Sequence, residues 1–247
     1  MPSLAYFWSM EELLGTPSDE LTEVLSIGRS DISTIFVSMS AKDPDGLDAE
    51  YLAWHALDHR PEQYRIPGLR ASLRLVSTAA CRKARAANTE RYATVDHVMT
   101  YFFADAGALT PFASLGSALG AAGRMPRMLP AVERGVYQAR GAAASPRIKA
   151  GSDVLPWWPA TGAYLLVERG SDGASELTET EGVAGAWWAE GSEGLQVTYC
   201  FLDADPVAAA QRLRPALEKR WSGGKVMPLL AAPFHIPVDH EWDRYLP

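Results

Sequence analysis

Two histidines, His55 and His59, lie four residues apart in the segment 51–75, which reads YLAWHALDHRPEQYRIPGLRASLRL. At this spacing both imidazoles project from one face of a helix, where they can bind one metal ion or exchange protons with a substrate. A histidine titrates near neutral pH, so it suits the removal of a proton from a carbon acid or a phenol. The pair leaves three alternatives: a metal or haem site, an acid–base site, or ordinary packing.

Metal binding is the alternative that the sequence supports least. A zinc-protease motif needs glutamate directly after the first histidine, whereas this segment reads HALDH. A third ligand would have to come from a distant residue, namely Asp96, His97, His235 or His240. We therefore expect no metal ion, and we expect His55 to pack or to form a local hydrogen bond.

His59 is the residue that we expect to act as a general base. It lies where the helical pattern weakens at Pro61 and the chain turns towards a strand. Asp58 points about 100° away around the helix, so we expect it to face solvent rather than to orient the imidazole. The structural alternative is that His59 caps the helix end, where an imidazolium suits the helix dipole.

The strand after the IPG turn carries charge on one side. In RASLRL, Arg70, Ser72 and Arg74 share one face, and aliphatic residues share the other. If the charged face lines a pocket, Arg74 would bind a carboxylate or stabilise an enolate that forms when the base removes a proton. If that face looks to solvent, the arginines only keep the sheet soluble.

The segment TVDHVMTYFFAD, residues 94–105, alternates again and predicts an adjacent antiparallel strand. His97, Met99 and Tyr101 share one of its faces. Tyr101 or His97 could then donate a proton to the same ligand. A core tyrosine with a satisfied hydroxyl is the alternative.

Aromatic residues are frequent in these segments and in the pairs of PWWP, residues 156–159, and AWWAEG, residues 186–191. Large flat side chains suit an aromatic or polycyclic ligand, although tryptophan also fills space between a sheet and a helix. The side chains that we expect to contact a substrate are Trp54, His55, Tyr64, Arg70, Met99 and Trp187.

The elements that must position these residues occur in one order, twice. In the first half, strands are predicted at 33–41, 68–78, 94–105 and 134–143, and helices at 47–65 and 109–125. In the second half, strands are predicted at 162–170, 182–191, 195–203 and 225–234, with a helix at 205–222. The order strand–helix–strand–strand–helix–strand is that of the ferredoxin-like fold.

The predicted domains follow from this order. They are a helical extension at 1–32, a first repeat at 33–143, a linker rich in Pro, Ser and Gly at 144–161, and a second repeat at 162–247. In the second repeat the first helix shrinks to the acidic segment 172–181, which contains no histidine. We therefore assign any chemistry on that element to the first repeat.

The segment AWHALDHRPEQYRIPGLRASLRL resembles the EthD-like branch of the dimeric α/β barrel proteins, in which a Trp-rich helix precedes IPG and an arginine-bearing strand. The residues that carry the resemblance are Trp54, His59, Pro61, Ile66, Pro67, Gly68, Arg74 and, on the next strand, Tyr101. Asp58, where Glu is frequent, and Arg60, where an apolar residue is common, depart from the family pattern.

The resemblance implies an α+β fold in which two ferredoxin-like repeats pair their antiparallel sheets into an α/β barrel with a central pocket. His59 would lie at the rim of that pocket. Members of the superfamily include cofactor-free isomerases, polyketide cyclases, monooxygenases and haem proteins, so the fold does not choose the reaction.

The composition disfavours several other classes of protein. The 247 residues are 47% hydrophobic and carry a net charge of −7, which gives no attraction to nucleic acid or anionic lipid. Cys81 and Cys200 lie far apart, so we expect neither a disulfide framework nor a thiolate zinc site. Residues 1–15 lack a basic region, and no apolar run reaches the roughly 18–20 residues of a membrane span, which predicts a cytoplasmic protein.

These patterns predict a cofactor-free enzyme of the lyase, isomerase or cyclase type that acts on a hydrophobic, aromatic or polyketide-like small molecule. His59 would be the base, Tyr101 or His97 the proton donor, and Arg74 the anion stabiliser. The alternative is a haem- or hydrophobic-ligand-binding protein of the same fold, with His55 or His59 as the ligand to iron. Formation of a homodimer stays open.

Overall fold

The computed structural model of the protein describes residues 31–247. The helical extension predicted at 1–32 falls almost entirely on residues 1–30, which lie outside the described residues. Between residues 31 and 247, no helix is long and apolar enough to cross a bilayer.

The first half contains the elements that carry the histidines and arginines. Its strands are β1 Thr34–Ser40, β2 Leu69–Val76, β3 Ala87–Asn88, β4 His97–Phe103 and β5 Ala131–Ala144. Its helices are α1 Asp48–Trp54, α2 Arg60–Gln63, α3 Ala79–Lys83 and α4 Leu109–Ala121, and a π-helical turn, His55–His59, joins α1 to α2.

The second half has longer strands and one long helix. Its strands are β6 Gly162–Arg169, β7 Val183–Glu190, β8 Leu195–Leu202 and β9 Met227–His235, and its helix is α5 Pro206–Ser222. Short 3-10 helices span Glu90–Tyr92, Ala106–Ala108, Ser152–Trp157, Ser175–Glu179, Ser192–Gly194 and Trp242–Tyr245. The turn Ser175–Glu179 stands where the first half has α1.

The strands form one antiparallel sheet in the order β2-β4-β1-β5-β7-β8-β6-β9-β3. In each half the first long strand lies between the third and the fourth, which is the ferredoxin-like order. β5 pairs with β7, and β2 returns to β9 through Val76 and His235, so the sheet closes into a barrel. The predicted α+β barrel of two ferredoxin-like units is confirmed.

The interior of the barrel is packed with side chains from both halves. Leu73 and Leu75 point inwards from β2, and Phe102 of β4 meets Trp187 and Tyr199 with ring centroids 6.1 Å away in both cases. These buried rings occupy the centre of the barrel. The expectation of a functional pocket in that centre is therefore wrong, and the charged face of β2 points outwards, towards the helices.

The outer face of the second half is covered by α5. Asp205 caps this helix by accepting hydrogen bonds from two backbone N–H groups of its first turn. Leu213 packs in one buried cluster with Cys200 of β8. Glu168, fully buried, pairs with Arg220 at 2.9 Å. The outer face of the first half is covered differently, by the segment from α1 to α2 and by α4.

Candidate active site

The helix that carries the two histidines changes its pitch between them. After α1, the N–H of Arg60 donates to the carbonyl of His55, five residues earlier, which defines the π-helical turn. Pro61 follows and has no N–H to donate, so the helical hydrogen-bond pattern is already interrupted at this point. Single π turns of this kind are frequent at functional sites. Both histidines are buried and face the sheet.

His55 is paired with a tyrosine of the sheet. Its Nε2 lies 3.0 Å from the hydroxyl of Tyr101 on β4, and both side chains are buried. Burial raises the pKa of Tyr101, so its hydroxyl is protonated at neutral pH and can donate to a neutral imidazole.

His59 is held by two side chains of its own helical segment. Its Nε2 accepts a hydrogen bond of 2.7 Å from the amide of Gln63, which places the ring proton on Nδ1. The ring of Trp54 stacks on the imidazole with the centroids 4.8 Å apart. The Nδ1 atom is buried and has no partner among the described residues. It is therefore an unsatisfied donor.

Arg74 is a buried cation for which the described residues provide no counter-ion. It stands on β2 opposite Met99 of β4, and only 8% of its surface is exposed. Its Nε has no hydrogen-bond partner, and in residues 31–247 no carboxylate forms a salt bridge with its guanidinium. The guanidinium lies 5.5 Å from the ring centre of Tyr51. Because an unpaired buried charge is costly, this arrangement suits the binding of an anion.

The charge of Arg74 acts on both imidazoles. Burial, and then the nearby Arg74, lower the pKa of His55 well below its ordinary value. The same two causes, in the same order, lower the pKa of His59. Both rings are therefore neutral at neutral pH and able to accept a proton.

His97 lies behind these residues in a separate buried pair. Its Nε2 donates to Asp48 Oδ1 at 2.7 Å. Burial lowers the pKa of His97, although the hydrogen bond to Asp48 opposes this effect. Burial would raise the pKa of Asp48, but the hydrogen bonds from His97 and from the backbone of Asp43 outweigh it and the pKa is lowered. The pair ties the first turn of α1 to β4.

A cavity of about 240 Å³ lies between the outer face of the first half of the sheet and the helices. Its lining residues are Phe36, Ser38, Tyr51, His55, His59, Gln63, Arg74, Met99, Tyr101, Phe112, Ala113, Gly116, Met125, Met128 and Arg134. A second cavity of about 440 Å³ shares Tyr51 and Met125 with it and is also lined by Trp54. Aromatic and methionine side chains dominate the inner cavity, so it suits a flat apolar ligand.

The structure brings together five of the residues that the sequence singled out. His55, His59, Arg74, Met99 and Tyr101 all line the inner cavity. They come from the segment between α1 and α2, from β2 and from β4, which pair in register at Arg74 and Met99.

Five other predicted residues lie outside that cavity. Trp54 stacks behind His59, and His97 is engaged with Asp48. Tyr64 is exposed, and its hydroxyl bonds to a serine of β2. Arg70 is exposed at an irregularity of the β2–β4 pairing, so its side chain leaves the row of Arg74. Trp187 belongs to the packed interior of the barrel.

Sequence reasoning missed the other lining residues. Gln63 is four residues after His59, so its helical spacing was a usable signal. Phe36, Phe112 and Arg134 come from β1, α4 and β5, and only the pairing of the strands and the position of α4 bring them to the same place. No local pattern carries that information.

The histidines of the site are the residues that could bind a metal ion or haem. In the described part of the chain, no group of three His, Cys, Asp or Glu residues could hold a metal ion. For haem, an imidazole nitrogen must be free to reach the iron. The Nε2 atoms of His55 and His59 are hydrogen-bonded to Tyr101 and Gln63. Either imidazole would have to give up that hydrogen bond to bind iron through Nε2.

Comparison with known proteins bears on the fold. No family model and no curated protein matches the sequence. A candidate chlorite dismutase of known structure has a TM-score of 0.52 and 9% identity over 87% of this chain and 100% of its own. A candidate monooxygenase from Fusobacterium nucleatum has a TM-score of 0.49 and 8% identity, over 85% of this chain and 95% of its own. An anthrone oxidase-like protein has a TM-score of 0.44 and 10% identity, over 85% of this chain and 92% of its own.

At 9% identity, the first of these likenesses shows the fold alone, and the two TM-scores below 0.5 add nothing to that conclusion. The ferredoxin-like fold predicted from the resemblance is thus supported by the comparison as well as by the strand order.

Proposed function

We propose that the protein is an enzyme that works by acid–base chemistry, without a cofactor, at the cavity beside Arg74. Its substrate is a hydrophobic, aromatic or polyketide-like small molecule that carries an acidic or enolisable group. The reaction is of the lyase, isomerase or cyclase type. The observation that carries this proposal is the guanidinium of Arg74, which has no acidic partner in residues 31–247 and is buried beside two neutral imidazoles in an apolar cavity.

The anion would bind to two unsatisfied donors. Nε of Arg74 and Nδ1 of His59 are buried, lack partners among the described residues, and belong to side chains that line the cavity. An enolate oxygen or a carboxylate that reached both nitrogens would satisfy both donors. Preorganised donors of this kind stabilise developing negative charge because they need no rearrangement during the reaction.

The proton would move through His55 and Tyr101. As the substrate C–H bond breaks, its electron pair stays on the substrate as an enolate and its proton passes to the Tyr101 oxygen. The proton of Tyr101 passes to Nε2 of His55, 3.0 Å away. The reverse transfer to another substrate atom completes an isomerisation, and expulsion of a leaving group completes an elimination. His55 thus takes the role of base that the sequence assigned to His59.

The aromatic lining supports the choice of substrate class. Phe112 lies 4.8 Å from Tyr101 and 5.5 Å from Phe36, measured between ring centroids. Met99 completes this group against the sheet. These side chains offer flat, adaptable apolar surface to an aromatic ring.

The experiment that tests the proposal needs no knowledge of the product. Aromatic acids with an activated C–H bond, such as 3-oxo-3-arylpropanoates, are incubated with the protein in D2O, and deuterium uptake is followed by NMR. We expect accelerated uptake for at least one compound and loss of this acceleration in Arg74→Met. Arg65→Met, which removes an exposed arginine outside the cavity, is the matched control. Uptake at the background rate for every compound would overturn the proposal.

A haem-binding protein of the same fold is the second candidate, and the engaged histidine nitrogens disfavour it. Titration of the wild type with haemin should therefore produce no shifted Soret band that depends on His55 or His59, and the spectra of His55→Ala and His59→Ala should match that of the wild type. A shifted band with one haem per chain, lost in either variant, would replace the enzyme proposal.

We also infer that the chain belongs to the EthD-like branch and that its two halves arose by fusion of two repeats. The local match from Trp54 to Arg74 supports the first inference, and the equal strand order of the halves supports the second. We further propose a cytoplasmic location. The net charge of −7 disfavours nucleic acid and anionic membranes as partners.

A further inference from the structure

The cavity has a second arginine at the end opposite Arg74. In the register of the sheet, Arg74 of β2 faces Met99 of β4, Met99 faces Ser38 of β1, and Ser38 faces Arg134 of β5. The four residues form one row across four strands. Because neighbouring strands lie about 4.8 Å apart, the two arginine Cα atoms are separated by about 14 Å.

Arg134 is not committed to an acidic partner. It is exposed, and no hydrogen bond or salt bridge within residues 31–247 engages its side chain. It also borders a polar cavity of about 250 Å³, where Arg91 is paired with Glu133 and Arg169 with Glu193. Of the three arginines around this polar cavity, Arg134 is the one whose side chain is left to bind a ligand.

Apolar side chains separate the two arginines. Met99 and the small hydroxyl side chain of Ser38 lie between them in the row, and the aromatic rings of Tyr101 and Phe36 form the next row of the same face. The cavity therefore offers a cation at each end and an apolar, largely aromatic floor between the cations. A ligand that matches this pattern has two acidic groups on opposite ends of a flat apolar scaffold.

We propose that the natural ligand is such a diacid and that Arg134 determines specificity for its second acidic group. The inference rests on the proposed function for the Arg74 end, where the first acidic group binds. Arg134 adds affinity for ligands that reach across the row, and it contributes nothing to ligands with a single acidic group.

The test compares two probes that share a scaffold. Binding of naphthalene-2-carboxylate and of naphthalene-2,6-dicarboxylate to the full chain is measured by calorimetry. We expect the dicarboxylate to bind about tenfold more tightly, since one hydrogen bond to a charged group lowers the dissociation constant by about a factor of ten. Arg134→Gln should remove this advantage and leave the affinity for the monocarboxylate unchanged. Arg74→Met should weaken the binding of both compounds.

Arg140→Gln is the matched control, because Arg140 stands on the same strand, pairs with Glu190, and does not line the cavity. It should leave both affinities unchanged. Monocarboxylate binding that depends on Arg74, with no advantage for the dicarboxylate, would overturn this inference and leave the proposed function standing. Equal weakening of both compounds in Arg134→Gln would also overturn it, and binding of neither compound would count against both proposals.

Discussion

Arg74 and the two imidazoles form a coupled set of charges. The guanidinium contributes to the lowered pKa of His55 and of His59, which keeps both rings neutral while the cavity holds no anion. An anion bound to Arg74 would offset this positive charge and raise the pKa of both rings. Binding of the substrate would thereby make His55 a better proton acceptor at the moment when it is needed.

The same lowered pKa values predict how stability depends on pH. His55, His59 and His97 are buried, and the pKa of each is lowered in the folded state. Below about pH 6.5 the unfolded chain binds protons that the folded chain does not, so the free energy of unfolding falls as the pH falls. The urea midpoint should therefore be lower at pH 5 than at pH 7.5.

His55→Leu should weaken this dependence, since it removes one of the three groups that titrate differently in the two states. A urea midpoint that stays constant or rises between pH 7.5 and pH 5 would contradict the neutral, buried state of the histidines.

At the residue scale, the sequence was a better guide to which side chains line the site than to the role of each one. The spacing of His55 and His59 placed both on one face, and both line the cavity. Their partners are Gln63, four residues onwards, and Tyr101, on a strand 46 residues away. The second contact depends on tertiary packing, so the role of His55 could not be predicted from the helix alone.

At the scale of elements, the segment from α1 to α2 is fixed to the sheet at its start by Asp48 and His97. Asp48 accepts hydrogen bonds from His97 and from the backbone N–H of Asp43, and all three residues are buried. Farther along, Trp54 contacts the backbone of Arg124 after α4. These contacts position the π-helical turn over Arg74.

Removal of the carboxylate should loosen this attachment. Asp48→Ala leaves the buried His97 without its acceptor, and we expect it to cost about 1–3 kcal/mol of unfolding free energy. Asp45→Ala is the control, because its salt bridge to Arg127 is exposed and such pairs contribute about 0–1 kcal/mol. Denaturation in urea measures both changes, and an equal loss in the two variants would show that the buried pair has no special role.

Element boundaries were predictable where the pattern was strong. The strand predicted at 68–78 is β2, Leu69–Val76, and the helix predicted at 205–222 is α5, Pro206–Ser222. The helix predicted at 47–65 is interrupted by the π-helical turn, which a period of 3.6 residues does not reveal. β3 was missed because two residues, Ala87 and Asn88, are too few to show alternation.

At the scale of the whole molecule, the barrel makes the two halves mutually dependent. Phe102 of the first half contacts Trp187 and Tyr199 of the second, and the hydroxyl of Tyr199 lies 2.7 Å from that of Thr100. The sequence predicted two units and, by resemblance, a barrel. It did not show that these rings fill the interior of the barrel. Which sheet faces pack against each other depends on the arrangement of both halves together.

This shared interior predicts cooperative unfolding. Phe102→Ala should destabilise the whole chain by about 3–5 kcal/mol in one transition, because removal of the ring leaves a void in the core that the two halves share. The exposed Val136→Ala should change stability little. Circular dichroism and tryptophan fluorescence should report the same midpoint. Separate transitions, with only one affected by Phe102→Ala, would contradict the account of one common core.

The central claim is that His55 and Tyr101 move a proton of a substrate held by Arg74. The most direct measurement is the rate of deuterium uptake by the most reactive aromatic acid, compared among the wild type, Tyr101→Phe, His55→Ala and His59→Ala. Loss of general acid–base catalysis should lower this rate by about 10²–10⁴-fold in Tyr101→Phe and in His55→Ala, with the circular dichroism spectrum unchanged. Uptake at the wild-type rate in Tyr101→Phe and His55→Ala, with a loss confined to His59→Ala, would contradict the claim.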